Sequence, residues 1–463
     1  MTTSSNTAKA GLTQTAAGPA IPEPAVRTGL SKPMVTFTFL LGIFMGALDH
    51  GIVGPALSSI MAAYAVDATW GVWSFTMYTL LFAVSIPILG KLSDRFGRKR
   101  TFMFGISMFA LGSLLAAFAP SFGWFLAGRA VQAVGTGGIF PITAAQIAVS
   151  YPPERRGRMM GLIGTVFGVG TILGPIIGGL LISQLAWQWI FLVNVPISIV
   201  IIALIATYRQ AQAPVKKPID LPGIALLTAA LISIMYGITA KNITVAAIGL
   251  LFAAGLVLVE RKAADPVMNV RYFTRANSLI LLLASMASGF VMASATNMMP
   301  YFTEKVLGLA AGSSGYMVAP LAAASMAASL AGGVLVDRIS ARRVLELGFV
   351  ISAIGALCLA FLVSSAAALI PVLVVLGFGI GIITGAPLNM LMLQTVEPKE
   401  TGAAVGYVSL FRSLGSTMGP TVAGVLAAAF AEGFTVLFAA SAAVSAVSLA
   451  LVLIGLRKRT PAA

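Results

Sequence analysis

The sequence predicts an all-α integral membrane protein with fourteen transmembrane helices, and three observations support this fold class. Of its 463 residues, 58% are hydrophobic and only 9% are charged, whereas a soluble domain usually carries about 25% charged residues. The apolar runs are about 20 residues long and unbroken, which is the length of a helix that crosses the hydrocarbon core. Basic residues are concentrated in alternate loops. An outer-membrane barrel would instead need alternating segments of roughly ten residues.

The apolar segments long enough to span a membrane alternate with short polar loops along the chain. They are 34–58, 70–90, 101–119, 123–147, 159–183, 189–208, 221–239, 243–259, 277–302, 313–336, 344–364, 368–392, 402–430 and 434–456. With the N terminus in the cytoplasm, only Lys241 and Lys305 of the 29 basic residues fall on the outer side, as the positive-inside rule requires. We therefore expect a multi-pass protein of the inner (cytoplasmic) membrane with both termini in the cytoplasm.

Two landmarks occur twice in the chain. The segment 90–95 recurs at 333–338, an offset of 243, and the segment 170–175 recurs at 415–420, an offset of 245. Such repeats indicate two pseudo-symmetric six-helix bundles plus an inserted helix pair, because 221–239 and 243–259 have no counterpart. The expected order is a disordered cytoplasmic tail at 1–33, the N-terminal bundle at 34–208, the inserted pair with its loops at 209–262, the C-terminal bundle at 263–457 and a tail at 458–463. Many transporters build a site between such repeats.

The loop between the second and third helices is tight and basic. It reads Gly90-Lys-Leu-Ser-Asp94-Arg95-Phe-Gly97-Arg98-Lys-Arg100, and Asp337 and Arg338 belong to its degenerate second copy. An acid in such a turn can pair with a helix N-terminus or with an arginine of the other half. The segment resembles the signature loop of the major facilitator superfamily, which implies a gate on the inner side. A loop that only sets topology is the alternative.

Further segments resemble fourteen-spanning drug:proton antiporters of that superfamily, and the resemblance extends from residue 34 to residue 457. The segment around Asp49 in helix 1 is similar to their first-helix signature, although Gly51 stands where a threonine is usual. Arg129 begins a segment similar to the family's arginine motif. The antiporter motif of helix 5 is matched at Gly170, Gly174, Pro175, Gly178 and Gly179. Small residues permit close packing and a proline bends a helix, so these positions could also be a packing face alone. The resemblance implies export.

Asp49 is the only one of the 14 acidic residues that the span assignment puts deep inside a helix. A charge at the bilayer centre costs roughly 2.5–3.5 kcal/mol on insertion scales. Counting residues from the helix ends puts Arg129 within about 5 Å of Asp49 in depth. We interpret this pair as the proton carrier, with a static ion pair as the alternative. His50, the only histidine, could relay protons near neutral pH or be a packed neutral imidazole.

A central cavity is expected between the halves, lined by helices 1, 4, 9 and 12. Its predicted polar residues are Tyr78, Gln132, Asn297 and Asn389. Arg412 in helix 13 is expected to serve an inner gate or to extend toward the membrane surface. This arrangement favours proton-coupled export of small hydrophobic or cationic compounds by alternating access. A lipid or glycolipid exporter, an uptake symporter and an intramembrane enzyme are the alternatives.

The sequence contains no nucleotide-binding loop, metal-ligand cluster or nucleophile constellation that would indicate other chemistry. We therefore expect no enzymatic activity, no metal and no cofactor, with the proton gradient as the energy source. The expected partners are a small-molecule substrate, protons and membrane lipids, without nucleic acid, and the protein is expected to be a monomer.

Overall fold

A computed structural model describes residues 31–208, 220–263, 271–396, 401–430 and 432–456, and the regular structure in these ranges is entirely helical. The helices are α1 (Lys32–Ile52), α2 (Leu57–Tyr64), α3 (Ala68–Gly71), α4 (Trp73–Phe96), α5 (Arg98–Ala117), α6 (Phe122–Thr136), α7 (Ile139–Ser150), α8 (Pro153–Gln184), α9 (Trp189–Leu192), α10 (Asn194–Ala206), α11 (Leu221–Thr239), α12 (Ile243–Glu260), α13 (Arg271–Thr274), α14 (Ala276–Lys305), α15 (Ala311–Ser314), α16 (Ala319–Ile339), α17 (Ala341–Phe361), α18 (Ala366–Thr384), α19 (Ala386–Leu393), α20 (Thr401–Ala429) and α21 (Gly433–Gly455). Short 3₁₀ segments lie at Gly54–Ala56 and Gly315–Val318. Most of the predicted tail at 1–33 and all of that at 458–463 lie outside the described residues.

The helices form because lipid offers no hydrogen bonds, so each spanning segment must satisfy its backbone groups internally. Polar side chains begin several helices by accepting a bond from the first turn: Asp67 caps α3, Ser121 caps α6 and Ser365 caps α18. A positive φ of 90° at Gly97 makes the sharp turn between α4 and α5, a conformation that glycine adopts freely.

Twelve helical segments among the described residues are long and apolar enough to cross a membrane by length and composition. The expected count of fourteen is therefore not supported by this measure. It omits the predicted segments 123–147 and 402–430. The first is divided into α6 and α7, of 15 and 12 residues, and the second lies in α20, which is rich in glycine, serine and threonine and carries Arg412. Counting apolar runs overlooked the helix break in the first segment and the polar content of the second.

Positions related by the repeat offset of 243 have matching structural roles. Lys99 Nζ donates to the carbonyl oxygens of Ala206, at 2.7 Å, and Tyr208, and so caps the end of α10. Arg342 donates to the carbonyl oxygens of Leu453 and Leu456, at 2.7 and 2.8 Å, and caps the end of α21. In each half, a basic residue at the start of the third helix thus holds the end of the sixth.

The turn before each of those helices also matches. Ser340, which lies 243 residues after Gly97, has a φ of 130° and accepts a bond from the Arg343 N–H at 3.4 Å. A non-glycine residue at this φ is strained. The second copy of the loop thus keeps the backbone path of the first without its glycine.

The helix ends define two faces of the bundle. We call the face with Lys32 at the start of α1 the near face, and the face with Tyr64 at the end of α2 the far face. Helices α3 and α4 of the N-terminal half pack against α20, and α8 packs against α15 and α16 of the C-terminal half. The inserted α11 and α12 pack on each other, and α11 also contacts α4 and α20. Only 17% of the apolar window of α12 is buried, so the inserted pair lies at the edge of the bundle.

Candidate functional site

Asp49 lies in α1 with its side chain fully enclosed by the N-terminal half. Its carboxylate accepts three hydrogen bonds: from Arg129 Nη1 at 2.9 Å, from Gln132 Nε2 at 2.8 Å and from Asn194 Nδ2 at 2.9 Å. Charge-assisted bonds from a guanidinium suit an ionised carboxylate. The structure therefore brings Asp49 and Arg129 into a direct ion pair.

The Arg129 side chain is 1% exposed and contacts hydrogen-bond acceptors and aromatic rings. Its Nε donates to the Ser74 carbonyl oxygen at 3.1 Å, and its Nη1 also donates to Gln132 Oε1 at 2.5 Å. The guanidinium carbon lies 4.2 Å from the centre of the Tyr78 ring and 5.5 Å from that of Phe191. Aromatic faces of this kind stabilise a buried cation.

The polar cluster around Asp49 joins five helices of the N-terminal half. Gln132 Nε2 also donates to Ser113 Oγ at 2.9 Å, so α1, α4, α5, α6 and α10 all contribute a contact. Sequence reasoning missed Ser113 and did not assign a role to Asn194. An asparagine inside an apolar run was a usable signal for Asn194, whereas serines are too common in these helices to single out Ser113.

Two residues predicted to line the substrate cavity take part in this cluster. Gln132 is fully buried and Tyr78 is 2% exposed. The Tyr78 hydroxyl donates to Thr136 Oγ1 at 3.0 Å. Both side chains face Arg129 because its buried charge needs an oxygen acceptor and an aromatic face, and in this conformation they form no open cavity wall.

His50 differs from its neighbour Asp49 because part of its side chain remains accessible. Successive helical residues point about 100° apart, which turns the imidazole out of the cluster. Its ring centre lies 6.2 Å from that of Tyr78. His50 therefore lies at the border of the buried cluster.

The other two predicted cavity residues lie in the C-terminal half and have unpaired polar atoms. Asn297 in α14 is 2% exposed. Its Nδ2, and the buried Oδ1 of Asn389 in α19, have no hydrogen-bond partner among the described residues. Buried polar atoms without partners are uncommon in proteins, so both amides are available to a ligand.

The glycine motif of α8 packs directly behind Asp49. A Cβ at Gly174 would lie 2.6 Å from the Leu48 carbonyl oxygen, and one at Gly178 would lie 2.5 Å from that of Ile52. Gly170 meets the same helix at Phe44 and Ala47. The backbones of α1 and α8 are thus in contact along the segment that carries Asp49.

The same helix α8 also contacts the C-terminal half. A Cβ on Gly179 would lie 2.5 Å from the Gly312 carbonyl oxygen, and Gly315 packs on the Pro175 carbonyl. The antiporter-like motif therefore has two packing faces, one on α1 and one on the other half.

At the far face the two halves are joined by hydrogen bonds. Glu304 of α14 accepts bonds from Ser58 Oγ at 2.5 Å and from Ser314 Oγ at 2.9 Å. Thr76 of α4 and Thr421 of α20 share a bond of 2.8 Å. These contacts close the bundle at this end.

The predicted gating loop lies at the near face. Gly90 and Gly97 have free space where a Cβ would stand, and the Arg95 guanidinium lies 5.5 Å from the Phe96 ring centre. Arg98 is close enough to Asp94 and Tyr208 to interact electrostatically. In the second copy, Asp337 and Arg338 at the end of α16 are exposed.

These features define a polytopic helical membrane protein with a sealed ion pair in one half and a bundle closed at one face. The family model of the Major Facilitator Superfamily matches residues 39–420 and 281–463. The chain belongs to this superfamily, whose members are transporters that bind small-molecule substrates.

Several relatives are similar over most of the chain. The uncharacterized MFS-type transporter YfiU of Bacillus subtilis is 36% identical over 82% of this chain and 76% of its own length. Multidrug resistance protein 3 of the same organism is 31% identical over 84% and 78%. Multidrug resistance protein Stp of Mycobacterium tuberculosis is 30% identical over 81% and 72%.

A solved structure has the same fold. It is that of a bacterial homologue of the human lysosomal transporter Spinster in an inward-facing and occupied conformation, which matches with a TM-score of 0.65 at 17% identity. The match covers 92% of this chain and 96% of that one.

Proposed function

We propose that this protein exports small hydrophobic or cationic compounds across the cytoplasmic membrane in exchange for protons, by alternating access. The observation that carries the proposal is the ion pair of Asp49 and Arg129, a titratable group enclosed within one half of a transporter. A buried carboxylate beside an arginine can hold or release a proton as its surroundings change. Two relatives that bear the name multidrug resistance protein support the substrate class.

We further propose fourteen spans with both termini in the cytoplasm. Helix α6 packs against α4 and α5, and α20 packs against α14 and α4. Buried positions of this kind suit two spans whose polar content is covered by protein rather than lipid. The near face would then be cytoplasmic, in agreement with the positive-inside rule. The protein would work as a monomer surrounded by lipid, with the domain limits expected from the sequence.

The cycle begins with the far face closed and Asp49 ionised against Arg129. Substrate enters from the cytoplasm into the space between the halves, and the halves then open toward the outside. A proton from outside reaches Asp49, with His50 as the relay at the cluster's border. Neutral Asp49 holds Arg129 and a cationic substrate less strongly, so substrate leaves and the carrier returns. Release of the proton to the cytoplasm restores the ion pair.

The proton gradient is large enough to drive this cycle. One pH unit supplies about 1.4 kcal/mol per proton, and a potential of 100 mV supplies about 2.3 kcal/mol per charge moved. One or two protons therefore support substantial accumulation of substrate without a cofactor.

The test replaces Asp49 with its neutral isostere. In proteoliposomes with an imposed pH gradient, Asp49→Asn is expected to abolish gradient-driven transport of a cationic dye while the protein remains folded and inserted. Asp67→Asn is the matched control because Asp67 is exposed and caps α3, and it should transport normally.

A second measurement addresses the proton itself. Addition of the dye to detergent-solubilised wild-type protein should release protons, and Asp49→Asn should release none. Proton release and uphill transport that both persist in Asp49→Asn would show that Asp49 is a structural ion-pair partner only.

A further inference from the structure

Arg412 is a charged side chain in the interior of the C-terminal half, and it has no counter-ion among the residues that the structure describes. It lies near the middle of α20, which spans Thr401–Ala429. Its guanidinium makes no hydrogen bond or ion pair with any residue in the described part of the chain, and no charged group there acts on it electrostatically. A lone charge within a membrane segment is costly and marks a functional position.

The acidic residues nearest to this depth are already engaged. Asp49 is bound to Arg129, and Glu304 lies at the far end of α14, where two serines hold it. Gly289, the residue of α14 that packs on the Arg412 carbonyl, is 15 residues from Glu304, or about 22 Å along the helix. Among the described residues, the positive charge of Arg412 is therefore uncompensated.

The orientation of Arg412 follows from its position along α20. Protein atoms surround the side chain, yet it retains partial exposure. Thr421, nine positions along the same helix, faces α4. Nine residues of an α-helix turn through two and a half turns, so Arg412 points away from α4. It therefore lies on the side of α20 that meets α14 and α19.

Asn389 lies at the depth that the Arg412 side chain can reach. Thr395 and Ser278 are hydrogen-bonded at 3.2 Å, which fixes the level of α19 relative to α14. Asn389 is then about 9 Å from that level and Gly289 about 16 Å from it. The backbone of Arg412 lies at the level of Gly289, so its depth differs from that of Asn389 by about 7 Å. The long Arg412 side chain can cover this difference because a helical side chain leans toward the N-terminus of its helix, which here is the direction of Asn389.

We propose that Arg412, together with Asn389 at a similar depth, binds a single anionic group, a carboxylate or sulfonate, on an otherwise apolar ligand. A guanidinium offers two parallel N–H donors to such a group. Asn389 can turn its amide to donate a further bond, and its Oδ1 at present has no partner in the described part of the chain. The inference rests on the proposed function because it adds a ligand class to the same transporter: zwitterionic and anionic amphiphiles besides the cationic ones.

The probes are rhodamine B, which carries a free carboxylate, and its ethyl ester, which is a cation with the same ring system. Fluorescence polarisation measures binding of each dye to the full chain in nanodiscs of phosphatidylcholine. Arg412→Gln should weaken the acid about tenfold or more and leave the ester unchanged within about twofold. Arg412→Lys keeps the positive charge but lacks the two parallel N–H donors of the guanidinium. Its affinity for the acid should therefore lie between those of the wild type and Arg412→Gln.

Arg343→Gln is the matched control because Arg343 is exposed on α17 at the near face, and it should bind both dyes as the wild type does. Unchanged affinity for the ester shows that a variant is folded. Equal weakening of acid and ester in Arg412→Gln, or no weakening of the acid, would overturn the proposal. If Arg412→Gln does not fold, the acid-to-ester ratio of Arg412→Lys decides in the same way.

Two further arms separate the sources of the anion and the two proposals. Displacement of the acid by phosphatidylglycerol in the nanodisc would assign the subsite to a lipid headgroup, and no displacement would assign it to a soluble ligand; both results support an anion subsite. In proteoliposomes, the Arg412→Gln protein should still transport the ester when a pH gradient is imposed, whereas the Asp49→Asn protein should not. If the wild-type protein does not couple transport of the ester to protons, the proposed function is refuted. The ratio of the affinities for the acid and the ester would still test the anion subsite by itself.

Discussion

The two halves of the protein treat their interior polar groups in opposite ways. In the N-terminal half, the Asp49 carboxylate and the Arg129 guanidinium are bound to each other, and amides and an aromatic ring complete the enclosure. In the C-terminal half, Arg412 has no partner among the described residues, and Asn297 and Asn389 each have an unpaired polar atom there. One half holds a closed polar network, and the other half holds polar groups without partners among the described residues.

The sequence repeat sharpens this contrast. At offsets of 243 to 245, Asp49 corresponds to Met292, Ala293 and Ser294, so the C-terminal half has no acidic residue at the matching position. In the opposite direction, Arg412 corresponds to 167–169, which read Phe-Gly-Val. Each half thus carries a charge that the other lacks, while the capping contacts of Lys99 and Arg342 are kept in both. The repeat is retained in the scaffold and lost in the functional groups.

The largest expected effect comes from a comparison of the two buried arginines. Arg129→Ala leaves the enclosed Asp49 without its cation, and removal of one partner of a buried pair typically costs about 3–5 kcal/mol. Arg412→Gln removes no bond within the described structure, so it should be neutral or slightly stabilising. Thermal unfolding of both variants in detergent measures the difference. Equal losses of stability would mean that Arg412 has a structural role and that the contrast between the halves is wrong.

The next effect concerns one glycine in each half at which two helices pack closely: Gly174 of α8 against α1, and Gly419 of α20 against α14. Gly174→Val would force α8 away from Leu48 beside Asp49, and Gly419→Val, at the repeat offset of 245, would clash with the Phe290 carbonyl oxygen, 2.8 Å from its Cβ. Overpacking of this kind costs about 1–3 kcal/mol, and both variants should be destabilised to a similar degree. Only Gly174→Val should also impair dye-induced proton release, because, of these two glycines, only Gly174 packs on the helix that holds Asp49, the proposed proton carrier.

Matched controls exist for this pair. Gly164 in α8 and Gly406 in α20 have open space where a Cβ would stand. Valine at either position should change stability by no more than about 0.5 kcal/mol. If Gly419→Val impairs proton release as strongly as Gly174→Val, the effect reports general loosening of the bundle and not the position of Asp49.

Much of this arrangement could be predicted from the sequence, and the limits have physical reasons. The helices, the loop between α4 and α5 and the depth of Asp49 and Arg129 follow from apolar length and residue spacing. The contacts of Tyr78 and Gln132 with Arg129 could not be predicted, because residue spacing gives depth but does not reveal that Arg129 needs an acceptor and a ring. The missing partner of Arg412 could not be predicted either, since a lack of contacts is a property of the packed structure.

The smallest expected effect lies where the two halves meet. Glu304 joins α2 to α15 by accepting bonds from Ser58 and Ser314, and Glu304→Gln weakens both by removing the charge from the acceptor. Bonds to a charged group are worth about 1.5–3 kcal/mol and neutral ones about 0.5–1.5 kcal/mol, so the equilibrium should shift several-fold toward opening of the far face. Spin labels at the exposed positions Ala63 and Val306, in a background with Cys358 replaced by serine, should show a larger population of long distances. Glu432→Gln, at an exposed acid on the same face, should show the wild-type distribution. An unchanged distribution in Glu304→Gln would mean that packing of Gly315 and Gly179, and not the carboxylate, keeps the far face closed.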